Sequence, residues 1–83
     1  MKIKKTTEKN ACGQNIRLLR KKNEITQNQL AARLQIVGIN LEAISISRIE
    51  MGRRIVTDYE LLTFAKIFRV KMEDLVEPDT HTE

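Results

Sequence analysis

The sequence predicts an all-α fold, a compact arrangement of five short helices. Three observations lead there. The 83 residues include only three Gly and one Pro, so few positions interrupt a helix. Aromatic residues are 4% of the chain against 41% hydrophobic overall, so the core must be built from Leu, Ile, Val and Ala. Apolar residues also recur at three- and four-residue spacing in successive segments that begin with capping residues.

The first helix is expected over 9–22, with Ile16, Leu19 and Asn23 on one stripe and Cys12 a turn earlier. Lys21 and Lys22 lie in its last turn, where cations suit the helix dipole. The second begins at Thr26, an N-cap residue, and Gln29 three positions on completes a capping box. Ile25 and Leu30 are placed to form a hydrophobic staple, and Leu30, Ala31 and Leu34 form the buried stripe. A connector over 35–41 follows, in which Ile36, Val37 and Ile39 are too apolar for a solvated loop, so some of them should pack against the core or a partner. The third helix spans 42–51 with Ile46 and Ile49 inward, and Gly52 stops it. Residues 53–57 form a loop, and Thr57 or Asp58 caps the fourth helix. That helix runs to Phe68 with Leu61, Leu62, Ala65 and Phe68 as its apolar face. A last short helix covers 72–76. The expected organisation is a flexible basic arm over 1–8, one folded unit over 9–77, and a disordered tail over 78–83 opened by Pro78.

Charge is distributed unevenly. Residues 1–54 hold 12 Lys and Arg against four Glu, a net of +8, while residues 55–83 hold three cations against seven acids, a net of −4. One half is suited to meet a polyanion. No apolar run approaches the roughly 18 residues of a membrane span, and the polar start at 1–9 is unlike a secretory signal. A single cysteine, Cys12, forms no internal disulfide, which fits a cytoplasmic location. Catalysis is not expected. The chain has one His (His81), no Gly-rich phosphate loop and no carboxylate cluster at metal-ligand spacing, so neither cofactor nor metal is expected.

Four strings of residues, in order, resemble one known family. They are Ile16-Arg17-x-Leu19-Arg20, then Ile25-Thr26-Gln27-x-x-Leu30-Ala31, then Ile46-Ser47-Arg48-Ile49-Glu50-x-Gly52-Arg53-Arg54, and last Leu61-x-x-x-Ala65-x-x-Phe68-x-Val70-x-x-x-x-Leu75. Their order and spacing over 13–77 resemble the lambda repressor and Cro family of helix-turn-helix domains, the Xre-like group. The resemblance implies a lambda-repressor-like five-helix fold whose third helix enters the major groove of double-stranded DNA. It departs in one place. About five extra residues separate Leu34 from the third-helix string, which either lengthens the loop or extends the second helix.

By position in that family, Ala43, Ile44, Ser45, Ser47 and Arg48 face the groove. Arg48 suits guanine or a phosphate, Ser45 suits any base, and Ala43 and Ile44 offer apolar contact only; Ile44 could instead belong to the core. Glu42 suits the positive end of the helix dipole or accepts from a cytosine amino group. Thr26, Gln27 and Asn28 open the second helix, where they clamp a phosphate or serve as local caps. Arg53 and Arg54 are expected at phosphates. Tyr59 either touches a phosphate or covers the core, and Lys2, Lys4 and Lys5 either lie along DNA or are disordered. Arg20 and Glu50 match a structural ion pair between the first and third helices. The function implied is a homodimeric DNA-binding transcriptional regulator, a repressor, with an antitoxin or other protein-interaction module as the alternative.

Overall fold

A computed structural model describes residues 7–77. Lys2, Lys4, Lys5, most of the expected arm, Pro78 and His81 lie outside the described residues. Among the described residues all regular structure is helical: α1 (Gly13–Lys22), α2 (Gln27–Ile36), α3 (Ala43–Glu50), α4 (Asp58–Phe68) and α5 (Met72–Val76). Five short helices in this order are what the family resemblance implies. None of these helices is long and apolar enough to cross a membrane.

One core joins all five helices. Ile16 from α1, Leu30 and Leu34 from α2, Ile46 and Ile49 from α3, Phe64 from α4 and Leu75 from α5 are completely buried. Cys12, Ile25, Leu41 and Ala65 complete the cluster. Burial of Cys12, with the nearby Glu60 carboxylate adding to it, pushes its thiol up to about 11. At neutral pH the reactive thiolate is therefore scarce and shielded. Thiol-specific alkylation of the native protein should be undetectable until denaturant unfolds it; rapid labelling in buffer would contradict this burial.

The capping box expected at Thr26 and Gln29 forms, and a second one opens α4, where Thr57 rather than Asp58 is the cap. The Gln29 backbone N–H donates to Thr26 Oγ1 at 3.0 Å while the Thr26 N–H donates to Gln29 Oε1 at 2.7 Å. Thr57 and Glu60 do the same for α4. The helix ends share a device of their own. After each of α1 to α4 one residue turns left-handed, namely Glu24, Gly38, Gly52 and Arg69. The next N–H then donates five residues back: Ile25 to Arg20, Ile39 to Leu34, Arg53 to Arg48 and Val70 to Ala65. This double turn satisfies carbonyls that the helix leaves open and directs the following residue inward or onward.

Several sequence expectations need correction. α1 begins at Gly13 rather than at residue 9, because Lys9 and Asn10 are tied elsewhere and Cys12 is the N-cap. The Lys9 N–H donates to the Gly52 carbonyl, and Asn10 Nδ2 donates to the carbonyls of Ile49 and Arg54. Asn10 Oδ1 meanwhile accepts the Gly13 N–H at 2.7 Å, so one side chain both starts α1 and straps it to the end of α3. Asn23 is exposed; its amide donates to the Leu19 carbonyl at the helix end instead of joining the stripe. In α4, Phe64 is the buried anchor, whereas Leu62 is exposed. Placing the stripe one residue further round puts Phe64, Ala65 and Phe68 toward the core and leaves Leu62 outside.

The insertion takes both of its allowed forms. α2 continues to Ile36, and then the left-handed Gly38 turns the chain so that Ile39 and Leu41 pack inward. Ile36 and Val37 do not follow; they are 84% and 57% exposed.

Candidate nucleic-acid interface

The candidate surface is made by the start of α2 and the outer side of α3. α3 packs against α1 and α2 through Ile46 and Ile49, three residues apart. That anchoring fixes which side chains remain outside. Ile44, Arg48 and Met51 fall at i, i+4 and i+7 and are exposed, while Ala43, Ser45 and Ser47 flank them half-buried. Ile44 is therefore not a core residue. Glu42 caps α3 in an extended conformation without a side-chain hydrogen bond to the helix. Tyr59 is exposed on α4, which removes the alternative that it covers the core.

An ion pair sets the position of α3. Arg20 Nε and Nη2 donate to Glu50 Oε2 and Oε1 at 2.7 and 3.0 Å, with the two side chains only 11% and 4% exposed. Arg20 Nη1 also donates to the Ile25 carbonyl at 2.9 Å, so the guanidinium fork is filled on two sides. The hydrogen bonds to Glu50 hold the Arg20 guanidinium above its ordinary value, against the opposing pull of burial. A third member enters here that the sequence did not announce. Gln27 Nε2 donates to Glu50 Oε1 at 3.1 Å. The first residue of α2 and the last residue of α3 are thus tied together, and the chain reaches Arg53 only three residues after Glu50.

This arrangement sorts the residues singled out in the sequence. Asn28, Arg48 and Arg53 are exposed, and their side chains are not engaged with the rest of the described protein. The backbone N–H groups of Gln27 and Asn28 lie in the first turn of α2, where no intrahelical carbonyl reaches them. Thr26 is occupied with its capping box, and the Gln27 side chain with Glu50. A shallow cleft between α2 and the start of α3 is lined by Asn28, Ala31, Leu41, Ala43 and Ile44.

Arg54 is placed differently from Arg53. Its Nη1 and Nη2 donate to Glu60 Oε1 and Oε2 at 3.0 and 3.2 Å, and Nη1 also donates to the Ile55 carbonyl. The expected phosphate ligand is committed to an intramolecular pair. Nothing in the local sequence separates the two arginines; the distinction comes from the α4 capping box, which turns Glu60 back toward the loop. Burial would raise the Glu60 carboxyl, but hydrogen bonds from Arg54 and from the Thr57 backbone outweigh it and hold the carboxyl below its ordinary value. A depressed carboxyl contributes stability above its unfolded value, and that contribution disappears as pH falls through the lower folded value. Wild type should therefore lose melting temperature below pH of about 4.5 more steeply than Glu60→Gln does. Parallel profiles for the two proteins between pH 5 and 2 would show that the pair adds nothing.

Two further polar anchors escaped sequence reasoning. Asn10 is one, and Asn15 is the other: its Nδ2 donates to the Leu75 and Glu77 carbonyls, both at 2.8 Å, and so fastens the end of α5 to α1. Asparagine within or just before a helix carries no pattern that would reveal such distant acceptors.

Compared with known proteins, the chain matches a family model described as helix-turn-helix over residues 16–75. No curated protein matches it, and no solved structure does.

Proposed function

The chain belongs to the helix-turn-helix family, in its Xre or lambda-repressor-like branch, and from that premise we propose that it is a sequence-specific transcriptional repressor acting as a homodimer on double-stranded DNA in the cytoplasm. The observation that supports this reading most is the Gln27–Glu50 hydrogen bond. It ties the first residue of α2 to the last residue of α3, which supports a surface in which the open N–H groups of α2, the outer side of α3 and Arg53 meet a groove and its two phosphate rails together.

Within this reading the folded unit is 9–77. The roles divide as follows. The start of α2, with Thr26, Gln27 and Asn28, offers backbone N–H groups to a phosphate. Ala43, Ile44, Ser45, Ser47 and Arg48 face base edges. Arg53 holds a phosphate beyond the end of α3, and Arg54 supports the loop that carries it through Glu60. Two copies related by a twofold axis would present their α3 helices about 34 Å apart, one turn of duplex. Affinity should fall steeply with salt, because each phosphate neutralised releases a counterion.

Selection from a random duplex pool, followed by sequencing, tests the reading. Arg53→Ala should weaken binding on all sequences alike and lower the salt slope by about one, whereas Arg48→Ala should relax preference at one position by about 1–3 kcal/mol. Identical preference profiles for the two variants would refute this division, and the absence of any enriched sequence would refute sequence-specific binding.

A second reading rests on Ile36 and Val37, which are large aliphatic residues left exposed at the end of α2. Exposed aliphatic side chains at a helix end suit a protein partner, as in an antitoxin. A stoichiometric partner recovered with wild type and lost with Ile36→Asp would favour it.

A further inference from the structure

α3 is a short helix, and two of its three isoleucines hold it in place from complete burial. The third, Ile44, stands at its second position and is 56% exposed. One exposed aliphatic side chain is ordinary by itself; what singles out Ile44 is its place near the start of the helix that the proposed function puts in the major groove. It shares the outward stripe with Arg48 one turn on. Residues 43–50 contain no Gln, Asn or Lys, so the paired amide contact that reads adenine is not available from this helix. Among the edges displayed in the major groove, the apolar group on offer is the C5-methyl of thymine.

We propose that Ile44 reads a thymine through its C5-methyl group and that Arg48 reads a guanine one or two base-pair steps away. The inference rests on the DNA-binding function proposed above and specifies the chemistry of its site. Four residues of helix rise about 6 Å, close to two base-pair steps of about 3.4 Å each. The Ile44 side chain would remove the methyl group and part of its own exposed surface from water, while the Arg48 fork takes the N7 and O6 acceptors of guanine. Ser45 and Ser47 flank the stripe with hydroxyls that accept or donate, so they tolerate several neighbouring bases.

The test uses the duplex enriched by selection. Each thymine in turn is replaced by deoxyuridine, which deletes the methyl group and leaves every hydrogen-bonding atom. Affinities are measured by fluorescence anisotropy for wild type, Ile44→Ala and Arg48→Ala, with helicity checked by circular dichroism. One thymine in each half-site should prove sensitive, with a loss of about three- to ten-fold for wild type, the size expected for burying one methyl group. Ile44→Ala should no longer distinguish thymine from uracil there, and Arg48→Ala should still do so. At the same position 5-methylcytosine should bind wild type more tightly than cytosine by a similar factor. Ile44→Val, which keeps a branched apolar side chain, should retain part of the discrimination. If wild type binds the selected duplex and every deoxyuridine replacement is silent, or if Ile44→Ala still discriminates, methyl readout is overturned while DNA binding stands. If wild type enriches no duplex at all, both proposals fall.

Discussion

Glu50→Ala should destabilise the protein by about 3–5 kcal/mol, because it leaves an almost buried guanidinium without its counter-charge. Three donors lose their acceptor at once: Arg20 Nε, Arg20 Nη2 and Gln27 Nε2. A chain of this size has a total stability of only about 4–12 kcal/mol, so the variant should lose about a quarter of it or more. If it still melts cooperatively, the midpoint should fall by at least about 12 °C, since each kcal/mol shifts a small domain by about 4–8 °C. A shift of one or two degrees would mean that water replaces Glu50 without penalty and that the pair is not holding α3. Charge and shape can be separated with Arg20→Met combined with Glu50→Leu. An apolar pair of similar volume recovers much of the loss when the dominant cost is the stranded charge. DNA binding by that double variant reports on a different point, because the anchor of Gln27 is gone even where the fold is restored.

Gly13→Ala is expected to cost about 2 kcal/mol or more, against the direction of helix propensity. In a helix interior, alanine is favoured over glycine by about 1 kcal/mol. Here a Cβ would overlap the Ile49 carbonyl oxygen and lie 2.9 Å from its carbonyl carbon and 3.0 Å from Asn10 Oδ1. Neither carbonyl atom can swing aside, since both belong to the backbone of α3. The first turn of α1 would have to retreat, and the Asn10 bonds to Ile49 and Gly13 would stretch with it. Forced separation of packed elements of this kind typically costs about 1–3 kcal/mol beyond the propensity gained. Gly38→Ala is a useful contrast. It meets no neighbouring atom within 4 Å but has φ +90°, so its loss should come from backbone conformation alone. Urea denaturation of both variants decides the matter: a Gly13→Ala protein as stable as wild type would mean that α1 does not approach α3 this closely.

The fold was legible because it depends on short-range signals. Thr26 with Gln29, Thr57 with Glu60, and Gly52 after α3 act within a few residues, and each does locally what its residue types require. The Arg20–Glu50 pair was legible only through the family resemblance, since thirty residues separate its members. Legibility failed where a side chain chose among distant partners. Asn10 and Asn15 look like ordinary polar residues, yet each spans to another helix end through two carbonyls. Arg53 and Arg54 are equivalent on paper; Glu60 takes one of them and leaves the other outside. Phe64 was missed because a stripe containing Leu61, Leu62, Ala65 and Phe68 fits a helical period nearly as well, and only packing against α1, α2 and α5 selects between the two registers.

The outward residues of α3 have one more property in common. The side chains of Ile44, Ser45, Ser47 and Arg48 hold no hydrogen bond to the rest of the described protein, whereas the residues that fix the helix, Ile46, Ile49 and Glu50, point the other way. Scaffold and alphabet are thus written in separate letters of the same eight-residue word. Under the proposed function, substitutions among the outward four would change the preferred duplex while leaving the melting behaviour nearly untouched, so a lineage built on this frame would reach new target sites by single steps without passing through unfolded intermediates.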